Sequence, residues 1–278
     1  MLKKEDIRIR DPFILTDTQN KCYYMYGTTA LLPDSLGTTA SFSVYKTYDL
    51  EHFEEPKVIF EGSDGFWATQ DYWAPEVHKY NGKYYLFGSF KHPDRCRGTQ
   101  ILVCDTPDGR FVPVSDAPAT PADWECLDGT LWVENETPYL IFCHEWLQIK
   151  NGAICALPLS SDLTSPVGEP ITLFHAADNP EVTSLSAKRP DCYITDGPFL
   201  YLEQGKLKMI WSSTAKGRYL VLEAESEGGV LGPWHHLPPR FDFDGGHAML
   251  FQRLDGQRMI SLHAPNKANL ERPVFLPY

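Results

Sequence analysis

Three features of this 278-residue chain predict an all-β fold, a five-bladed β-propeller. A short motif rich in Asp, Gly and Pro recurs five times at intervals of roughly fifty to seventy residues, the period of a radial array of small sheets. Each copy is followed about a dozen residues later by an aromatic and β-branched run, the composition of a strand paired in a hairpin. The 22 prolines and 20 glycines are scattered as turn punctuation, and no long window carries a helical apolar period.

The first pair is Asp11-Pro-Phe-Ile with Tyr23-Tyr-Met-Tyr-Gly27; Ser41-Phe-Ser-Val-Tyr45 continues that blade and Val58-Ile-Phe60 closes it. Trp73-Ala-Pro-Glu-Val and Tyr84-Tyr-Leu-Phe-Gly88 open the second, followed by Ile101-Leu-Val-Cys104, the turn Thr106-Pro-Asp-Gly109 and the edge Phe111-Val-Pro-Val114. Asp128-Gly-Thr-Leu and Tyr139-Leu-Ile-Phe begin the third, with Ala153-Ile-Cys-Ala-Leu157 and Ile171-Thr-Leu-Phe174 behind them. The fourth runs from Asp196-Gly-Pro-Phe and Leu207-Lys-Met-Ile-Trp to Tyr219-Leu-Val-Leu-Glu-Ala224. The fifth holds Gly246-His-Ala-Met and Arg258-Met-Ile-Ser-Leu. Many short strands would also suit a β-sandwich, but the fivefold motif selects the propeller, one domain over residues 1–278. One short helix is expected around Ser184 to Arg189. The longest irregular stretches, Leu31–Thr39, Glu61–Tyr72 and Ala176–Tyr193, have the length of binding loops.

The formal net charge is −12, with the acidic residues dispersed, which disfavours nucleic acid as a partner. No apolar stretch has the length of a membrane span, so no membrane partner is expected. The N-terminal Met-Leu-Lys-Lys-Glu-Asp lacks the apolar region of a signal peptide. The expectation is a cytoplasmic protein, or the trimmed form of a secreted one. Seven cysteines without a CxxC spacing read as reduced and, at Cys104, Cys143 and Cys155, as buried small hydrophobes. Asn135-Glu-Thr137 matches a glycosylation sequon but falls in an expected hairpin turn.

A propeller aims the start of each innermost strand at one axis. The residues there are Asp11, Trp73, Asp128, Asp196 and His247. A lone Asp beside Gly or Pro only caps a turn. Three brought to one axis raise one another's pKa, a cost that points to use. Such a set suits glycoside hydrolysis: one ionised carboxylate activates water, one protonated carboxyl assists the leaving oxygen, and a third tunes that acid. Trp67, Tyr72 and Trp73 are read as an apolar wall for a sugar ring. Neither a zincin His-Glu-x-x-His nor a Gly-x-Ser-x-Gly elbow is present, and Asp242-Phe-Asp244 lacks the spacing of a calcium loop.

Taken as an ordered set, Arg10-Asp-Pro-Phe-Ile14, Tyr72-Trp-Ala-Pro-Glu-Val77, Leu127-Asp-Gly-Thr-Leu131, Thr195-Asp-Gly-Pro-Phe199 and Gly245-Gly-His-Ala-Met249 resemble the blade motifs of glycoside hydrolase family 43. The resemblance implies a five-bladed propeller and an inverting hydrolase of arabinofuranosides, xylosides or galactosides. It implies that Asp11 is the general base and Asp128 the carboxylate that tunes the acid. Where relatives carry Glu-Gly-Pro this chain has Asp196-Gly-Pro, one methylene shorter. Asp196 is therefore read as general acid, with Glu145 of His144-Glu-Trp146 as the alternative. His247 matches the family's axial His, implying substrate contact and an ion, such as a structural Ca2+, or water in the channel beside it; no cofactor is required for catalysis. Arg272 is read as structural, and Arg10, Arg189 and His263 are further residues that could approach the pocket and are given no role in it.

The expected function is an exo-acting hydrolase that removes terminal pentoses, first α-L-arabinofuranosyl and second β-xylosyl, from plant polysaccharides or oligosaccharides. The rivals are a carbohydrate-binding propeller without catalysis and a protein-interaction propeller.

Overall fold

Twenty-one strands are arranged as five radial sheets in a computed structural model that describes residues 1–29, 41–62 and 65–278. The expected loop Leu31–Thr39 lies outside the described residues. The innermost strands are Arg10–Asp17, Gln70–Tyr80, Cys126–Glu134, Asp196–Glu203 and Gly246–Gln252, and each is the first long strand of its blade. Successive innermost strands touch in order, and the fifth returns to touch the first, which closes the ring.

The second, third and fourth blades are four-stranded antiparallel meanders; the first has six strands, and the fifth has three. Tight turns follow from sequence: Asn81-Gly82, with φ of 46° and 81°, joins Gln70–Tyr80 to Lys83–His92 as a two-residue hairpin. Asn135-Glu136, inside the sequon, makes the same connection in the third blade with φ of 48° and 64°.

Inner strands are covered on both faces by neighbouring blades. They therefore read as continuous apolar runs, such as Cys22–Thr28, in which every residue is buried. Four apolar clusters fill the spaces between blades. In the cluster between the first and second blades, Phe90 meets Phe42, Phe60, Phe66 and Tyr72 at centroid distances of 4.7–5.8 Å. Burying one such ring contributes roughly 2–3 kcal/mol, enough to decide where an aromatic side chain turns.

The ring is sealed by side chains between the first and fifth blades. Ser261 Oγ donates to the Pro12 carbonyl at 2.6 Å, Thr16 Oγ1 to that of Gln252 at 2.6 Å, and Arg272 Nε to that of Glu5 at 2.7 Å. The last of these fits the structural reading of Arg272.

The helix expected at Ser184–Arg189 is not formed. A bridge joins Ser186 to Arg189, and the Leu185 N–H is spent on the Cys192 carbonyl, so the segment folds back on itself ahead of Pro190. The described helices are single turns at Lys4–Asp6, Trp146–Ile149 and Ala176–Asp178. None is long and apolar enough to cross a membrane. All seven cysteines are free thiols, four of them buried.

Candidate active site

Each innermost strand begins with a slip in register against its neighbour, and the slip does the same work five times. Before it, Arg10 pairs with Thr28, Trp73 with Ser89, Leu127 with Cys143, Asp196 with Ser212, and Gly246 with His263. The next residue is in every case left-handed: Asp11, Ala74, Asp128, Gly197 and His247 have φ of 56°, 45°, 57°, 50° and 52°. A bulge of this kind re-aims a side chain out of the pleat. Asp11, Asp128 and His247 are thereby brought together, with His247 Nδ1 3.2 Å from Asp11 Oδ1 and 3.6 Å from Asp128 Oδ2.

The register corrects the expected set at two places. Trp73 and Asp196 do not occupy the position of Asp11 and Asp128; Ala74 and Gly197 do, and Trp73 and Asp196 precede their bulges, in line with Arg10 and Leu127. A Cβ at Gly197 would lie 2.7 Å from His247 Cδ2 and 2.8 Å from its Cγ, so the ring occupies the space that a fourth side chain would need. We expect Gly197→Ala, which adds both the clash and a strained φ, to destabilise the fold by about 1–3 kcal/mol in urea unfolding. An unchanged midpoint would refute this packing.

A cavity of about 320 Å³ opens over these groups, within the size range of small-ligand pockets, about 300–1,000 Å³. Asp11, Asp128, Asp196, Glu145 and His247 all line it. Their environments drive the acids apart. Burial alone would raise Asp11, but His247, Arg10 and the Thr28 hydroxyl, which donates to Oδ2 at 2.7 Å, hold it below the ordinary carboxylate range. Burial pushes Asp128 up and the charge of Asp11 adds to this, while His247 and the Gly197 N–H pull the other way. Asp196 is half-buried; the enclosing protein, then the charge of Asp128, raise it further, against His247 and the Tyr219 hydroxyl that donates to Oδ2 at 3.0 Å. Glu145 is pushed up to about 6 by burial, opposed by Arg97, whose Nε lies 3.5 Å from Oε2.

The two histidines differ. Burial opposes a charge on His247, but Asp11, Asp128 and Asp196 outweigh it and raise its pKa, which favours the charged ring between base and tuner. His263 is fully buried and lowered to about 3 by that burial. Its Nδ1 accepts the Asp11 N–H at 3.2 Å, which fixes a neutral ring with the proton on Nε2.

This arrangement of carboxylates over an axial histidine, set on five radial sheets, has counterparts among known proteins. The sequence profile of Glycosyl hydrolases family 43 matches residues 6–277. The chain belongs to family 43. The fold of this family 43 enzyme is similar to that of the endo-arabinase from Bacteroides thetaiotaomicron VPI-5482, with a TM-score of 0.91 and 41% identity over 100% of this chain and 96% of the other. An endo-1,4-beta-xylanase of the same organism (TM-score 0.76, 23% identity, 98% and 90% covered) and an alpha-L-arabinofuranosidase from Lactobacillus brevis (0.78, 17%, 97% and 90%) share the fold. No curated protein sequence matches significantly.

Of the aromatic wall expected for the family 43 enzyme, Trp73 alone lines the cavity, its ring covered by the Arg97 guanidinium at 3.9 Å. Tyr72 is 3% exposed, stacks on Phe60 and donates its hydroxyl to the Ala68 carbonyl, because alternation along the strand turns it into the aromatic core. Trp67 packs against that same core, donates to Gln100 Oε1 at 2.9 Å, and borders a separate cavity with Arg95 and Pro118.

Arg10, given no role from sequence, lines the cavity, held by Asn266 Oδ1 at 2.8 Å and Glu271 Oε1 at 3.2 Å. His263 contacts Asp11, while Arg189 reaches the cavity only through Trp146, over whose ring it lies at 4.8 Å. Tyr219 and Trp146 also line the cavity without having been singled out. The sequence signal for His263 is positional: a buried polar residue also stands toward the far end of the second strand, opposite the residue before the bulge, at Thr28, Ser89 and Ser212.

The described residues contain no group of three or more His, Cys, Asp or Glu side chains arranged to hold a metal ion. The Nδ1 of His247, beside which an ion or water is expected, is directed at the carboxylates of Asp11 and Asp128.

Proposed function

We propose that this family 43 hydrolase cleaves α-L-arabinofuranosyl linkages with inversion. Asp11 is the general base, Asp196 the general acid, and Asp128 the charge that keeps Asp196 protonated. The observation that carries the reading is the split among carboxylates in one cavity: Asp11 held low, and Asp196 held high by enclosure and by Asp128. Groups divided in this way serve as base and acid of one reaction.

In the proposed reaction a water beside Asp11 gives its proton to that carboxylate and attacks the anomeric carbon. Asp196 gives its proton to the departing oxygen on the opposite face. Thr28 and His247 hold Asp11 ionised and aimed. Arg10, Trp73 and Trp146 form the walls against which the sugar is oriented.

The choice of arabinose over xylose is supported by the 41% identity to the endo-arabinase. The same likeness favours attack within an arabinan chain over the removal of terminal residues read from the sequence. The test is digestion of linear arabinan, with arabinoxylan and aryl xylosides in parallel, followed by chromatography and by NMR of the newly formed anomer. Arabino-oligosaccharides should precede free arabinose, and the first anomer should be inverted. A retained anomer, or products only from xylosides, would overturn the reading. Oligosaccharide binding without new reducing ends would mark a binding propeller instead.

A further inference from the structure

The left-handed residue of each bulge turns its N–H toward the preceding blade, and four of the five are received there by one type of position. Ala74 donates to Thr28 Oγ1 at 2.7 Å, Asp128 to Ser89 Oγ at 2.8 Å, His247 to Ser212 Oγ at 2.8 Å, and Asp11 to His263 Nδ1 at 3.2 Å. These acceptors are the second-strand residues that pair with Arg10, Trp73, Asp196 and Gly246. The fifth member of the set, paired with Leu127, is Cys143. It receives nothing from Gly197, whose N–H goes instead to Asp128 Oδ2 at 3.0 Å.

We propose that Cys143 acts by default: offering no strong acceptor, it releases the Gly197 N–H to hold and orient Asp128, and this bond is required for full activity. A thiol is a weak acceptor, whereas a hydroxyl or a ring nitrogen at the same place captures the amide in every other blade. Cys143 is fully buried beside Asp128 and Asp196, and burial keeps its thiol protonated, so it gains no acceptor strength by ionising. Gly197 packs so close to His247 that a Cβ added to it would lie 2.7 Å from the ring, which leaves it little room to shift. For Asp128 the consequence is a charge-assisted bond on the oxygen that faces His247, fixing the carboxylate between the base and the acid. The inference rests on the role proposed above for Asp128.

The test inverts the usual ranking of substitutions. Cys143→Ser is nearly isosteric but restores the acceptor, while Cys143→Ala and Cys143→Val do not. On arabinan oligosaccharides we expect Cys143→Ser to lower kcat about tenfold with KM little changed, the loss of one hydrogen bond to a charged group. We expect Cys143→Ala and Cys143→Val to stay within about threefold of the parent by the same reasoning. The serine loss should shrink on a substrate with an activated leaving group, which a packing defect would not produce. If the buried hydroxyl prevents folding, Cys143→Thr, carrying the residue type found at position 28, repeats the comparison. Serine and threonine variants as active as the alanine variant would overturn the proposal. Asp128→Asn, assayed alongside, separates the two readings. If it is fully active, the role of Asp128 fails and this inference falls with it; if it is crippled while Cys143→Ser and Cys143→Ala match, only the Gly197 arrangement falls.

Discussion

Asp11→Asn is expected to lower kcat by about 10²–10⁴-fold, the usual contribution of a positioned general base, with KM changed far less. The substitution keeps the shape of the side chain and can keep an oxygen for the Thr28 hydroxyl, so the bulge and its N–H bond to His263 remain. What it removes is the one carboxylate in the cavity held below its ordinary range. Because the defect lies on the side of the attacking water, a better leaving group will not repair it. A small anionic nucleophile such as azide, offered to Asp11→Ala, should restore turnover by attacking the anomeric carbon itself and yield a glycosyl azide of inverted configuration. Thermal melts distinguish loss of chemistry from loss of fold. Activity within tenfold of the parent in Asp11→Asn would end the mechanism.

Much of this geometry is written in local sequence. The five motifs are legible because a left-handed bulge favours Asp, Gly or His in a recognisable setting, and because hairpins such as Asn81-Gly82 declare their turn type. The offset of Asp196 is not legible. Aligning motifs by their carboxylates puts Asp196 beside Asp11 and Asp128, whereas register is set by the bulge and by a ring, His247, some fifty residues away in sequence. Tyr72 and Trp67 show the same limit from the other side. Closeness to Trp73 in sequence suggested one wall, but period-two alternation and the pull of the Phe90 cluster sent them elsewhere. Arg10 and Tyr219 reach the cavity and His263 backs Asp11 from three different strands, as single polar residues within or beside apolar runs, with no pattern of their own.

Which carboxyl gives the proton is decided by comparing Asp196→Asn with Glu145→Gln, and the expected results differ in kind. Asp196 is raised to about 7, by enclosure first and the charge of Asp128 second, and Asp128 and Asp196 titrate as a pair. A raised pKa means that the useful proton is present below that value and is lost above it, so hydrolysis of unactivated linkages should fall as pH rises past about 7. Asp196→Asn should abolish that alkaline limb and cost about 10²–10⁴-fold on arabinan, but far less on an aryl arabinofuranoside whose leaving group needs no proton. Glu145 sits differently: its Oε2 has no hydrogen-bond partner among the described residues, and the guanidinium beside it, Arg97, favours the charged form. Its carboxylate also shares Arg97 with the ring of Trp73, so Glu145→Gln should disturb the cavity wall. The expected loss is about tenfold or less, equal on both substrates, with the alkaline limb intact. Both carboxyls are raised by burial and by a neighbouring anion against an opposing cation; the balance differs, because the charge of Asp128 follows burial for Asp196, whereas for Glu145 the opposing Arg97 outranks the charges of Asp196 and Glu125. If the leaving-group dependence and the lost alkaline limb both appear in Glu145→Gln, the longer side chain is the donor and Asp196 is left as a sugar ligand.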